Sequence, residues 1–433
     1  MNSSELNMSN GFKNYWVNVD NLKLNEYIMN SRERVICAVN FESADRIPID
    51  CGACRASGIH AAVYNTRKRR MGIVSPTKVH DVMQLLAEVE WEALDRLHAD
   101  IVPLESLTAE WVHQNAADGV KKELFCGDTV YFPPGTSIKA DRDGSWLLCN
   151  ADGDAFGIMP KDGSFFDFIR PTMAGGKIDP DLFRPKRTVC DEELTILAGH
   201  AEFLYENTDK AILGKGAGIS LLGLSAMNTT NLTQGSLDEW LSMLILEKET
   251  ATEMMGHAVD AAIDCLKLYY EATGDLCFAW IVGSDDAGTQ RSGLISPDLY
   301  REMIMPHYRR LCDWVHTNTH WKTFLHSCGS VYHYIPAWIE AGIDIINPVQ
   351  ISAANMEPKR LMAEFSGKIV FWGGWLRHTE NSSPRKTGRC VQPCRPQHRN
   401  ILLRNRRVCF HPGTQYPAEC ACGKCGDHVS NRI

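Results

Sequence analysis

The chain has 433 residues, 44% of them hydrophobic, and a formal net charge of −8 at pH 7. This composition is too apolar for a disordered chain, holds no apolar run long enough to span a membrane, and is too acidic to point to nucleic acid as a main partner. Sixteen cysteines behind an N-terminus with no apolar leader indicate reduced thiols in a cytoplasmic setting, not a disulfide scaffold.

Residues 1–29 are polar and read as an N-terminal extension. A helix is predicted from Asn30-Ser31-Arg32-Glu33, with Ser31 as its N-cap. Residues 46–50 (RIPID) read as a short buried strand, with Pro48 near its end. Apolar spacing of three and four over residues 79–98 predicts an amphipathic helix, and residues 100–104 form the next strand. Residues 126–170 are rich in Gly, Asp and aromatics, and their Asp-Gly pairs predict hairpins, an excursion from the main fold. Beyond it, strands at 219–222, 277–283, 323–326, 343–348 and 368–372 alternate with helices at 238–270, 297–317, 331–341 and 357–365. Such alternation means a parallel sheet covered by helices. Polar residues at the strand ends favour a (β/α)8 TIM-type barrel, whose C-terminal rim carries chemistry. A doubly wound sheet would call for a Gly-rich fingerprint after the first strand, and none is present.

The sharpest local feature is His326-Ser327-Cys328-Gly329. Side chains two apart at a strand end share a side, so an imidazole and a thiolate can meet one ion, a set that suits zinc. On spacing alone, a buried thiol beside a structural histidine is the better account of the motif, since a lone His-x-Cys is common. Asp285-Asp286 follow an apolar strand. Asp286 is the catalytic candidate and Asp285 a substrate-binding one, able to hold a cation or take a proton; capping the next helix is the plainer alternative. Gln290 lies just beyond. Asn347 and Gln350 flank Pro348 and could bind substrate amide or carboxylate groups, or satisfy loop backbone. Arg55, in CGACR, could meet an acidic substrate or serve as an ion-pair partner.

Together, SRERVICAVNFESADRIPID, DDAGTQRSGLISPDLYREMIMPHYRRL, FLHSCGSVYHYIPAWIEAGIDIINPVQISAANMEPKRL and KIVFWGG resemble the uroporphyrinogen decarboxylase superfamily, most closely its corrinoid-linked methylcobamide:coenzyme M methyltransferase branch. The resemblance implies a (β/α)8 barrel over residues 30–375. It implies zinc held by His326, Cys328 and a later cysteine, and methyl transfer from a methylated corrinoid on a partner protein to a small thiol or similar acceptor. Classical decarboxylases of the family carry an arginine-rich stretch after the first strand. CGACRASGIH has one arginine, which favours methyl transfer over porphyrinogen decarboxylation. A non-catalytic binding protein is the remaining alternative.

The resemblance stops at Gly374. Where the family pattern approaches GGGCDTQ, the chain reads GGWLRHTE. From residue 376 on there are eleven Lys and Arg against three Asp and Glu, a net of +8 that leaves −16 on the rest, and six of the sixteen cysteines. Reading the codons for residues 375–383 one nucleotide late permits GCDTQKILP. The same offset over residues 409–426 permits a sequence resembling the family's final strand. Our hypothesis is that the chain from about Trp375 is out of frame, which leaves the barrel incomplete at its C-terminal end and its activity impaired. Resequencing the codons for residues 368–381 decides the point. On this hypothesis Cys420-x-Cys422-x-x-Cys425 is not a designed zinc module, although its spacing resembles one.

Overall fold

Seven parallel strands form the main sheet, and their order in space follows their order in the chain. The computed structural model describes residues 29–104, 116–169, 178–183, 189–223, 232, 237–373 and 409–410. The strands are β1 (Ile101–Pro103), β2 (Ala211–Gly214), β3 (Cys277–Ser284), β4 (Lys322–His326), β5 (Ile345–Asn347), β6 (Val370–Trp372) and β7 (Cys409–Phe410). Each pairs in parallel with the next. Parallel strands are covered on both faces, and β3 shows this in its sequence, CFAWIVGS, buried up to its last residue. The helices are α1 (Ser31–Val39), α2 (Ala61–Met71), α3 (Trp91–Arg96), α4 (Asp191–Asn207), α5 (Leu237–Leu246), α6 (Lys248–Thr273), α7 (Met305–Asn318), α8 (Ile335–Ala341) and α9 (Pro358–Phe365).

Strand residues divide between two apolar clusters with period two, as the pleat requires. Leu213, Phe324, Ile345, Val370 and Trp372 point to the inner cluster. Ile212, Leu325, Ile346 and Phe371 point to the helix-covered outer one. Inside, Trp372 stacks on Phe278 at 6.0 Å and meets Phe324 edge-on at 5.2 Å. Val35, Ala38 and Val39 of α1 join this inner cluster. The sheet therefore curls into part of a (β/α)8 barrel, and among the described residues its edges are β1 and the two-residue β7.

Several elements differ from the sequence reading. Asn30, not Ser31, caps α1, in a reciprocal box with Glu33. Residues 46–50 supply only a bridge at Ile49; Pro48 cannot donate to a ladder. Residues 79–98 are not one helix: Val79–Asp81 and Leu86–Ala87 pair as an antiparallel hairpin, and only α3 follows as helix. The Asp81 carboxylate accepts from the Gln84 N–H at 2.9 Å and closes the turn, while Leu85 takes a left-handed φ of 53°. The strand that follows β1 in the sheet, β2, lies at Ala211–Gly214 and not at 219–222. There Ile219 bridges Gly283, and the next N–H groups are drawn off to a carboxylate described below. The predicted helix 238–270 breaks at Glu247 into α5 and α6.

The hairpin excursion is present. Val120–Glu123 pairs with Thr129–Phe132. Ser137–Ala140, Trp146–Cys149, Ala155–Met159 and Asp167–Phe168 form a four-stranded antiparallel meander. Among the described residues no helix is long and apolar enough to cross a membrane. The N-terminal extension and the tail, β7 excepted, lie outside the described residues, as do the site of the frame change and the expected third cysteine.

Candidate metal centre

Three strand ends lie in register at one rim: Ser284 of β3 faces His326 of β4, and His326 faces Asn347 of β5. The ladder continues one residue further. The Asp285 N–H donates to the His326 carbonyl at 2.9 Å, and the Ser327 N–H to the Asn347 carbonyl at 2.7 Å. Asp286, His326 and Cys328 are thereby brought together, each half-buried, with one donor atom from each within 4.8 Å of the others. His326 Nε2 lies 3.5 Å from Asp286 Oδ1 and 3.6 Å from Cys328 Sγ. The Cys328 N–H donates to Asp286 Oδ1 at 2.9 Å, tying the two loops together. The loops cross so closely that a Cβ on Gly329, at φ +91°, would sit 2.0 Å from the Gly288 carbonyl oxygen; only glycine fits there.

One nitrogen, one sulfur and one carboxylate oxygen are donors of the kind zinc takes. Without a metal, the same atoms form an ion pair. Burial draws the His326 pKa down, but its hydrogen bonds to Asp286 and Cys328 outweigh that and raise it well above the ordinary value. Burial pushes Asp286 up, and the His326 ring beside it prevails and holds it below the usual carboxylate range. A cation would take the place of the imidazolium proton between these two groups.

The other candidates have different placements. Asp285 is 1% exposed, and both of its oxygens are engaged. Oδ1 accepts from Ser220 Oγ at 2.9 Å and the Leu222 N–H at 2.9 Å; Oδ2 accepts from the Leu221 N–H at 2.6 Å and the Tyr308 hydroxyl at 2.8 Å. It fastens residues 220–222 to the end of β3, in place of the substrate contact expected of it; burial pushes its carboxyl up to about 6. Gln350 Oε1 accepts from the Gly329 N–H at 2.8 Å, which places it behind the metal loop. Gln290 is exposed, and its carbonyl accepts from the Ala354 N–H at 3.0 Å. Arg55 pairs with Asp81 of the hairpin. Asn347 bonds the ring of His326 through its side chain.

Sequence reasoning passed over Asp50. It is fully buried, with Oδ2 accepting from the Trp372 indole N–H at 2.8 Å and Oδ1 from the Ala53 N–H at 2.9 Å. Burial pushes it up to about 6. The available signal was a carboxylate between Ile49 and Cys51, where an apolar stretch leaves little water to solvate it.

Residues 194–368 match the family model described as uroporphyrinogen decarboxylase (URO-D). No curated protein sequence matches the chain. Among solved structures, a methyltransferase from Methanosarcina mazei aligns with a TM-score of 0.46 and 14% identity, covering 91% of this chain and 96% of that one. The matched residues run from within α4 through α9 and hold Asp286, His326 and Cys328; over that span, about two fifths of its length, the chain is similar to the uroporphyrinogen decarboxylase family.

Proposed function

We propose that this fold serves a zinc-dependent methyltransferase of the uroporphyrinogen decarboxylase-like type, moving a methyl group between a corrinoid on a partner protein and a small thiol or similar acceptor. The observation that carries the reading is the convergence of an imidazole, a thiol and a carboxylate within 4.8 Å at the rim. His326, Cys328 and Asp286 would hold the ion. Asp286 supplies, from within the described residues, the third donor that the family resemblance assigns to a later cysteine. Three protein donors leave one of zinc's usual four places for a substrate. When bound, zinc supplies the charge that lowers a thiol's pKa and keeps the thiolate ready as nucleophile.

The chain's own residues do the rest. Gln350 and the Asp286 carboxylate both accept backbone N–H groups of the Cys328–Gly329 turn, which fixes where the sulfur sits. Asp285 and Tyr308, bonded to each other at 2.8 Å, hold the end of β3 from behind. Decarboxylation of an acidic porphyrinogen is the second reading, favoured by the family description of residues 194–368. It calls for cationic side chains facing the substrate, and Arg55 is engaged with Asp81.

Metal analysis of the full chain tests the proposal. We expect about one zinc per chain, lost in Cys328→Ala, and slow, zinc-dependent consumption of methylcobalamin by a small thiol, impaired by the incomplete barrel. Unchanged zinc content in Cys328→Ala rejects the ligand assignment. Carboxylate loss from a porphyrinogen by zinc-free protein moves the assignment to the second reading.

A further inference from the structure

We infer that Asn347 is a positioning residue that decides which nitrogen of His326 faces the metal cluster; this rests on the zinc reading above. The argument starts at β6. The Trp372 carbonyl can only accept, and the Asn347 side-chain nitrogen lies 3.2 Å from it. That contact fixes the amide: its nitrogen end points to β6, so its oxygen end points the other way. Asn347 Oδ1 lies 2.7 Å from His326 Nδ1. An amide oxygen cannot donate, so Nδ1 must carry the proton. The second ring nitrogen, Nε2, is the one left facing Cys328 Sγ and Asp286 Oδ1. A ligating histidine is commonly held this way, its outer N–H bound to a fixed acceptor.

The arrangement is rigid because each partner is itself held. Asn347 is 1% exposed and Trp372 fully buried. The indole of Trp372 is fixed by Asp50 at 2.8 Å. A line of hydrogen bonds thus runs from Asp50 through Trp372 and Asn347 to His326, across β6, β5 and β4. Asn347 stood among the candidate substrate ligands in the sequence. Here both ends of its amide are taken by the protein, and its work is done on the ring of His326.

The test compares the full-length protein with Asn347→Leu and Asn347→Asp, using nitrogen NMR of histidine-labelled protein and zinc titration, with circular dichroism as the folding control. In the parent, His326 Nδ1 should remain protonated with and without zinc, and zinc should shift only Nε2. Asn347→Leu should lose the Nδ1–H signature of the neutral, metal-free ring, read at a pH high enough to remove the imidazolium proton, and bind zinc about 10- to 100-fold more weakly. Asn347→Asp keeps an acceptor facing the ring, so it should retain the signature and bind within a few-fold of the parent even if the leucine variant folds poorly. Zinc on Nδ1 in the parent overturns the inference, as does a folded Asn347→Leu that keeps both the signature and the affinity. If the parent takes no zinc, the metal reading falls, and the tautomer of the neutral ring in the metal-free proteins, read above the pH at which the imidazolium loses its proton, still decides the role of Asn347.

Discussion

Two loops of this molecule carry cysteines in short, motif-like spacing, and they differ in chemical fate. The loop after residue 50 reads Cys51-Gly52-Ala53-Cys54; the loop after β4 reads His326-Ser327-Cys328. In the first, burial dominates and the neighbouring Asp50 carboxylate pushes the same way, so Cys51 rises to about 12 and Cys54 to about 11. These are inert thiols packed into the two apolar clusters. In the second, the thiol is half-buried beside an imidazole and a carboxylate. Spacing alone ranks C-x-x-C above H-x-C as a metal or redox motif. Surroundings reverse the ranking, because a thiolate forms only where something offsets its charge.

The sharpest way to break this contrast is by metal content. His326→Ala and Cys328→Ala should each abolish zinc uptake, while Cys51→Ala and Cys54→Ala should leave it unchanged; loss of zinc in either of the latter pair would join the two loops into one site. Alkylation comes next. Iodoacetamide on the folded, metal-free chain should modify Cys328 well before Cys51 or Cys54, and zinc should protect it, as read by peptide mass mapping. Equal rates at the three thiols would sink the distinction.

Removing the donor that serves Asp50 is a smaller change. Trp372→Phe leaves Oδ2 of a buried carboxyl without its indole partner and should cost about 1–3 kcal/mol in urea unfolding. An unchanged midpoint would mean that water or another donor takes over. The smallest expected effect is on pH dependence. Asp50 is raised from 3.8 to about 6 in the folded chain, so the native state binds the extra proton between those values. The stability linked to it is complete below about 4 and is lost as pH rises through about 6, with a slope on the order of 1 kcal/mol per pH unit. Asp45 and Asp344 are lowered in the fold and act in the opposite sense: burial opposes the shift in both, and bonds to Arg34 and His316 drive it. Their contribution is complete above the ordinary carboxylate range and disappears as pH falls. Asp50→Asn should therefore flatten the decline between about pH 4 and 6 and leave the acid limb alone.

The parallel sheet was legible because β3 to β6 are near-continuous apolar runs bounded by polar turns, and the paired positions His326 and Cys328 because a strand end holds residues i and i+2 on one side. Residues 79–98 misled because VHDVMQLLA fits a period of two as well as one of three to four. Only the Asp81 turn and the positive φ of Leu85 decide between them. Which of two adjacent aspartates meets the cluster was not legible. The choice depends on Ser220, the backbone of residues 221–222, and Tyr308, all distant in sequence, which claim Asp285 and leave Asp286 at the rim. The role of Asn347 was hidden for the same reason: its partners come from β4 and β6.

The bond between Trp372 and Asp50 joins residues 322 positions apart. On a ribosome adding about 5–20 residues per second, those residues take roughly a quarter-minute to a minute to appear. Through that interval the carboxylate emerging near the start of the chain has no indole to receive it, and it stays ionised in water. The inner face of the curled sheet, Phe278 and Phe324 included, likewise waits for the ring that closes it. Synthesis time, and not local propensity, sets when this interior can form, and the first half of the chain is exposed to misassembly for as long as the second half is being made.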